Sequence, residues 1–489
     1  MSARIATLAF AVGLLLVGLL TRPVPISGTA LLDFEAYYAA GATWQYHGDP
    51  YGRDVWRTER TIPTVDGTHD EFLPFVGPPF GLPLWAALAR LDWHWASTLW
   101  GGAMAVAFGV IALGSLRIAN ERIDAIDAGA VLAMAAGFGP LTSGVALGQA
   151  AVVSCAAIVL TPLALRRRSA FGAAATALVA ALQPNLAIVL AARAGSRRAA
   201  IAFALALALA LGGSALALAG SGGLGRYLEV LRAHAASERF IAIQTTSAAV
   251  ARGFGASPET AGLCALGIAL VTFAVLAVQC ASRRYAPDDR LALACAALPL
   301  TLPFAHEHDF TIAFLPIVLL VRRARGTAWV VGAIAGAAIA VDWLGLAQRP
   351  GGVLETVLLT TGVTMALACL AREPLRPFHF VPLLVPAAVA VAGAFVFAHP
   401  LPTWPGSLPA NFHVPPGLDA AQAWRAEQLA SGVGGLDARW ALLRALSLGG
   451  CALLWCVAST ALLSSRTQAT RSEPASTALR RQQATSPSA

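Results

Sequence analysis

Two carboxylates and two tyrosines crowd into Leu32-Asp33-Phe34-Glu35-Ala36-Tyr37-Tyr38, in a chain otherwise sparing with polar groups. Asp33, Tyr37 and Ala40 are spaced i, i+4, i+7 and share one face of a short helix, whereas Glu35 projects from another. Gly48-Asp49-Pro50 is a turn signal that ends that helix. A carboxylate held at a membrane–water boundary suits general-base chemistry, because partial burial raises its pKa toward neutrality. Asp33 is therefore the candidate catalytic base. It also fits a helix N-cap, a position that Asp favours, and the two roles can coexist. Tyr37 and Tyr38 are candidate substrate contacts, although tyrosines so placed more often anchor a chain at the membrane interface.

His306-Glu307-His308-Asp309 packs four ionisable residues between two short apolar segments. Such residues at bilayer ends are costly and usually functional. His306 and His308 are read as facing a phosphate or a sugar. An i, i+2 pair does not share a helical face and the chain has no His-Glu-x-x-His, so no metal is expected there. The plain alternative is a solvated turn with helix caps at both ends. Gln149 and Asn185 are neutral hydrogen-bonding groups on turns. Each could contact substrate or simply satisfy broken-helix backbone. Arg53, Arg57, Arg60, Arg232 and Arg239 lie on the same side as these groups, and one or two of them could bind a lipid phosphate.

The elements that must position these residues are membrane helices. Of 489 residues 57% are hydrophobic and 12% charged, with a mean hydropathy of +0.66, against about a quarter charged in a soluble domain. The expected fold is all-α: a multi-pass transmembrane protein of about 12–14 helices, short broken ones included. Arg-rich loops flank alternate spans, which a β-barrel would not show. Net charge is +8 and every basic residue is Arg; their clustering at span ends is a topology signal, and no nucleic-acid partner is expected. The seven cysteines fall in apolar spans, which argues against disulfides and a Cys metal site. Ile5 to Leu20 reads as an uncleaved anchor, since no Ala-x-Ala pattern follows, and Thr21-Arg22-Pro23-Val24-Pro25 as a rigid exit from the bilayer. Gln183-Pro184-Asn185 breaks its apolar stretch into two short helices. The helix from Pro78 to Arg90 is too short to span, and Trp85, Trp93 and Trp95 fit an interfacial belt.

Placing the Arg clusters inside makes the crossings alternate without conflict. Both termini are then cytoplasmic, in the plasma (inner) membrane, and every unusual polar group collects outside. Residues 1–463 read as one transmembrane domain, with outer loops at 33–95, 222–258 and 399–439. Residues 464–489 read as a disordered cytoplasmic tail.

Asp33-Phe34-x-x-Tyr37-Tyr38, Gly48-Asp49-Pro50-Tyr51, Pro78-Pro79, Gly148-Gln149 and Gln183-Pro184 together resemble glycosyltransferase family 87. These are GT-C-type membrane enzymes that include polyprenyl-phosphate-mannose-dependent α-mannosyltransferases. The resemblance covers the first two hundred residues; the His306 to Asp309 turn looks like a later polar motif, and beyond it only hydropathy matches. The sequence departs at Gln183, where the family often has Lys. The resemblance implies a GT-C-like fold, a polyprenyl-phosphate sugar donor and a lipid or glycan acceptor reached from the outer face. It also implies membrane lipids as partners and a catalytic aspartate in the first outer loop, which falls on Asp33. A lipid phosphate is already a stabilised leaving group, so no cofactor is expected; neither Gly-x-x-x-x-Gly-Lys-[Ser/Thr] nor a Gly-x-Gly-x-x-Gly at a strand–helix junction occurs. The competing readings are a transporter or flippase of lipid-linked intermediates, which would call for mid-membrane polar groups and internal repeats, and a non-catalytic membrane scaffold.

Overall fold

The computed structural model describes residues 2–21, 31–120, 122–219, 223–348, 352–397 and 401–484, with side chains to Leu462. The expected rigid exit at 22–25 lies outside the described residues, as do Gly222 and His399 at the starts of two outer loops. The expected tail disorder from Ser464 falls beyond the described side chains.

Every regular element among the described residues is helical. In chain order they begin α1 (Ser2–Leu20), α2 (Leu32–Gln45), α3 (Asp54–Glu59), α4 (Leu82–Leu88), α5 (Trp93–Ala119), α6 (Ala125–Ala136), α7 (Gly139–Leu147) and α8 (Ala150–Arg166). The Gln183-Pro184 break separates α9 (Ala170–Ala180) from α10 (Pro184–Ala187). Then come α11 (Arg197–Ala217), α12 (Gly223–Glu238), α13 (Ser247–Gly253), α14 (Pro258–Ala281) and α15 (Pro287–Ala297). A 3-10 turn over Glu307–Ala313 leads into α16 (Phe314–Arg323), α17 (Gly326–Ala340) and α18 (Trp343–Gln348). The chain closes with α19 (Val353–Leu370), α20 (Leu384–Phe397), α21 (Ala420–Ala430) and α22 (Ala438–Ala484). Side-chain caps mark many starts: Asp92, Asp124, Ser169, Ser196, Thr246 and Ser257 each accept from a backbone N–H in the first turn.

Among the described residues seven helices are long and apolar enough to cross a membrane, or up to eight if α6 and α7, bent by 64°, form one broken span. Five shorter apolar helices accompany them. The protein is an all-α, multi-pass membrane protein.

Two polar sets lie at opposite ends of the long helices. At one end Asp127 takes Arg4 at 2.7 Å and Arg322 at 2.8 Å. Arg372 donates to Asn120 at 2.7 Å, and Asp288 pairs with Arg166 at 2.6 Å and with Arg193. At the other end the first turn of α5 packs on α2, through Phe34 and Trp93 rings 5.5 Å apart. With 27 residues in α5, the two ends are about 40 Å apart. The Arg residues assigned to the inner side on charge alone thus meet one another in three dimensions. The positive-inside rule expects a single cysteine introduced at exposed Thr68, in a cysteine-free background, to react with an impermeant reagent in intact cells, and one at Ser476 to stay protected. Labelling at Ser476 would reverse the orientation.

The segment before α5 departs from expectation. Trp85, expected in an interfacial belt, is 1% exposed and stacks on Tyr37 at 4.7 Å. The reason is Gly41, where a Cβ would fall 2.2 Å from the Trp85 carbonyl carbon. The missing side chain lets α2 and α4 cross at backbone contact, which draws the indole inside. Phe34 stacks on Trp100 at 5.6 Å. Each such pair adds about 0.5–1.5 kcal/mol beyond burial, so these rings fix α2 against α4 and α5.

Candidate active site

The carboxylate of Asp33 is not a helix cap. The cap position of α2 is Leu31, at φ 64°, with no side-chain hydrogen bond, and Asp33 lies one residue inside the helix. Its Oδ2 instead accepts from Gln149 Nε2 at 2.7 Å. Gln149 is oriented by Tyr37, whose hydroxyl donates to Gln149 Oε1 at 2.9 Å. One helix face therefore presents both ends of a relay, as the i, i+4 spacing requires, and the glutamine from the α7–α8 turn closes it. Gly148 makes that turn at φ +71°, with room for no more than a hydrogen against Phe34, since a Cβ would sit 3.0 Å from the Phe34 Cβ. Trp100 Nε1 ties the Gly148 carbonyl down at 2.7 Å.

The His306 turn faces this relay. His306 is half-buried, while Glu307, His308 and Asp309 are buried, so it is not the solvated turn of the plain alternative. Asp309 accepts from the His306 N–H at 3.0 Å, and Glu307 accepts from the Trp343 N–H at 2.9 Å. The His306 and His308 rings stack at 5.5 Å. His308 is seated against Gly144, whose Cβ would lie 3.4 Å from its own.

Burial raises the Asp33 carboxyl to about 6; the Gln149 hydrogen bond and the His306 charge pull it down, while Glu238 and Asp309 push it up. Asp309 is also raised to about 6, chiefly by burial. His308 is lowered by burial and by the neighbouring His306, which keeps it neutral. Burial also lowers His306, but the hydrogen bond and charge of Glu238, with Asp309 and Asp33, outweigh it and leave it raised. A carboxyl group and an imidazole whose charged form it favours thus lie within electrostatic reach of one another, able to take a proton and to stabilise an anion.

Of the candidate residues, Asp33, Tyr37, Gln149, His306 and His308 come together. Tyr38 does not: its hydroxyl donates to the Leu91 carbonyl at 2.9 Å and its ring packs on Trp93. Asn185, half-buried at the start of α10, makes no side-chain hydrogen bond to this group among the described residues. Arg53 and Arg60 bracket the Trp56 ring at 4.6 Å each and, with Arg57, line a separate cavity of about 230 Å³. Among the described residues no group of three or more His, Cys, Asp or Glu side chains is arranged to hold a metal ion.

Sequence reasoning passed over Glu238 and His234, which the fold places beside His306. Their only signal was an i, i+4 acid–histidine pair on an amphipathic helix. The sequence also hid the clasp between the first and third loops. There Glu427 accepts from the Phe72 N–H and Asp70 from the Val414 N–H, both at 3.0 Å.

A family comparison bears on this site. The model of glycosyltransferase family 87 matches residues 75–303. Over those residues, just under half of the chain, the sequence is similar to glycosyltransferase family 87. The match takes in Pro78-Pro79, Gly148-Gln149, Gln183-Pro184 and Glu238, and stops short of Asp33 on one side and His306 on the other. No curated protein and no solved structure matches the chain. A family 87 glycosyltransferase needs a sugar donor and an acceptor, and the relay from Gln149 to Asp33 connects the matched region to the carboxylate.

Replacing His308 by Ala would leave a void beside His306 and let that ring tilt. The expected outcome is about a tenfold loss of transfer with the fold intact, read by turnover and thermal unfolding together. Full activity would remove His308 from the site.

Proposed function

We propose that this protein is a family 87 glycosyltransferase that moves a hexose, mannose by resemblance, from a polyprenyl-phosphate donor to a lipid or glycan acceptor at the outer membrane face. The observation that carries the reading is the half-buried Asp33, held by Gln149 and facing His306, at the membrane end opposite the Arg clusters. In the step, the acceptor hydroxyl loses its proton to the free Asp33 oxygen. Its oxygen forms the new bond to the anomeric carbon. The bond from that carbon to the phosphate oxygen breaks, and the electron pair leaves with the lipid phosphate. His306 donates to that developing charge. Gln149 fixes one Asp33 oxygen and leaves the other for the acceptor, and Tyr37 keeps Gln149 from flipping.

Purified protein, given a polyprenyl-phosphate hexose and a membrane-lipid extract in detergent, is expected to form a new glycolipid. No sealed compartment is needed, which separates transfer from transport. Absence of product with every hexose donor would defeat the reading. The pH dependence follows from Asp33, which works as a base only when ionised. With its pKa raised to about 6, turnover should be full near pH 7.5 and fall tenfold per unit below pH 6. A profile flat down to pH 5 would exclude Asp33 as the base.

A further inference from the structure

Glu238 ends α12 and is 2% exposed. A carboxylate that deep must be surrounded by donors, and it is. Gln244 donates to Oε2 at 2.7 Å, Gln428 to Oε1 at 3.0 Å, and Trp424 Nε1 also reaches Oε1. His306 Nε2 and His234 Nε2 each lie 3.5 Å from one of its oxygens. Residues from α12, the following loop, α21 and the His306 turn thus converge on one acid. Gln244 also holds the turn directly: its Oε1 accepts from the Ala305 N–H at 2.9 Å, and the Ala305 carbonyl accepts from the Thr245 N–H at 2.7 Å.

The same acid acts on a cation. Arg425 lies between Trp424 and Gln428 on α21, half-buried, and the Glu238 charge favours its charged form against burial. No hydrogen bond or ion pair of its guanidinium is found among the described residues. A half-buried arginine with its donors uncommitted thus sits on the helix that supplies two donors to one Glu238 oxygen, while His306 lies 3.5 Å from the other. Guanidinium and imidazolium together suit a phosphate dianion or monoester.

We propose that Glu238 is a positioning residue that presents His306 and Arg425 together to the phosphate of a lipid-linked donor. The assignment rests on the lipid-phosphate donor proposed above. His306 is faced by Glu238 and His234 from α12, by Asp33 from α2, and by His308 and Asp309 from its own turn, with Arg425 on α21. Burial opposes the imidazolium, and the carboxylates outweigh it. Removing the Glu238 charge reverses that balance at His306 but leaves Asp33 and Asp309 in place. Phosphate binding through an imidazolium is complete below the His306 pKa and is lost above it.

The probe is polyprenyl phosphate, the leaving group itself, and the readout is thermal stabilisation of the detergent-solubilised full chain across pH. The parent should be stabilised at neutral pH and lose the effect on the alkaline side. Glu238→Gln should need about tenfold more lipid phosphate, with the alkaline edge moved one to two pH units lower. Glu238→Asp should restore part of the edge. Arg425→Gln, less buried and so safer for folding, should weaken binding about tenfold with the edge unmoved, and it decides the matter if Glu238→Gln does not fold. In turnover the Glu238→Gln loss should appear mainly in the donor KM. Equal binding and an equal alkaline edge in the parent and both variants would overturn this assignment alone. A parent that polyprenyl phosphate does not stabilise at any pH would overturn the lipid-phosphate donor and, with it, this site.

Discussion

Asp33→Asn is expected to lower turnover by about 10² to 10⁴ with the fold and donor binding retained. The substitution keeps the size of the side chain, and an amide oxygen can still accept from Gln149, 2.7 Å away in the parent. It cannot accept the acceptor's proton. Because Asp33 does not cap α2, no helix-end stabilisation is lost with the charge, and a drop in rate cannot be laid to fraying. Asp33→Glu should recover little, since one more methylene moves the carboxylate out of reach of both Gln149 and the acceptor. Glu35 is the internal control. It is buried, accepts from Thr64, and burial raises it to about 8, so it is already protonated at pH 7. Glu35→Gln then changes neither size nor charge and should stay within about threefold of the parent. Glycolipid formed per folded protein is the measurement. If Asp33→Asn turns over like the parent, another group is the base.

The helices were legible because apolar runs of that length allow little else, and the Arg alternation indicated which ends share a side. The i, i+4 pairing of Asp33 and Tyr37 was legible too, since it depends only on helix geometry. What the pair does was not. That Tyr37 orients Gln149 depends on a turn more than a hundred residues away docking on α2, which Gly148 permits. Trp85 misled for a similar reason: an indole beside a short apolar helix looks interfacial until Gly41 brings two backbones into contact. Glu238 escaped notice because its role is set by partners from α21 and the His306 turn, none near it in sequence. Local periodicity carries no information about such meetings.

The second large effect lies far from the chemistry. Asp127 ion-pairs both Arg4 and Arg322, which lie 2.7 and 2.8 Å away, and its side chain is 3% exposed against 9% for Arg322. The same guanidiniums hold the last carbonyls of α19: Arg4 reaches Cys369 and Arg322 reaches Leu370, the latter at 2.8 Å. Four helices, α1, α6, α16 and α19, therefore meet on one carboxylate. Asp127→Ala would leave Arg322 buried without its ion-pair partner, and about 3–5 kcal/mol of stability should go with it. Arg4, at 25% exposed, can turn toward solvent and should add little. Asp127→Leu combined with Arg322→Met should recover most of the loss, because an apolar pair of similar volume removes the orphaned charge rather than pairing it. Turnover per folded molecule should be unchanged in both, since this ionic centre sits at the far end of α16 from the His306 turn. Thermal unfolding in detergent, with glycolipid formation on the folded fraction, measures the two effects separately. A loss under 1 kcal/mol for Asp127→Ala would mean that helix packing alone aligns these four helices, while a turnover loss at full stability would mean that the ionic end of α16 controls the geometry of its catalytic end.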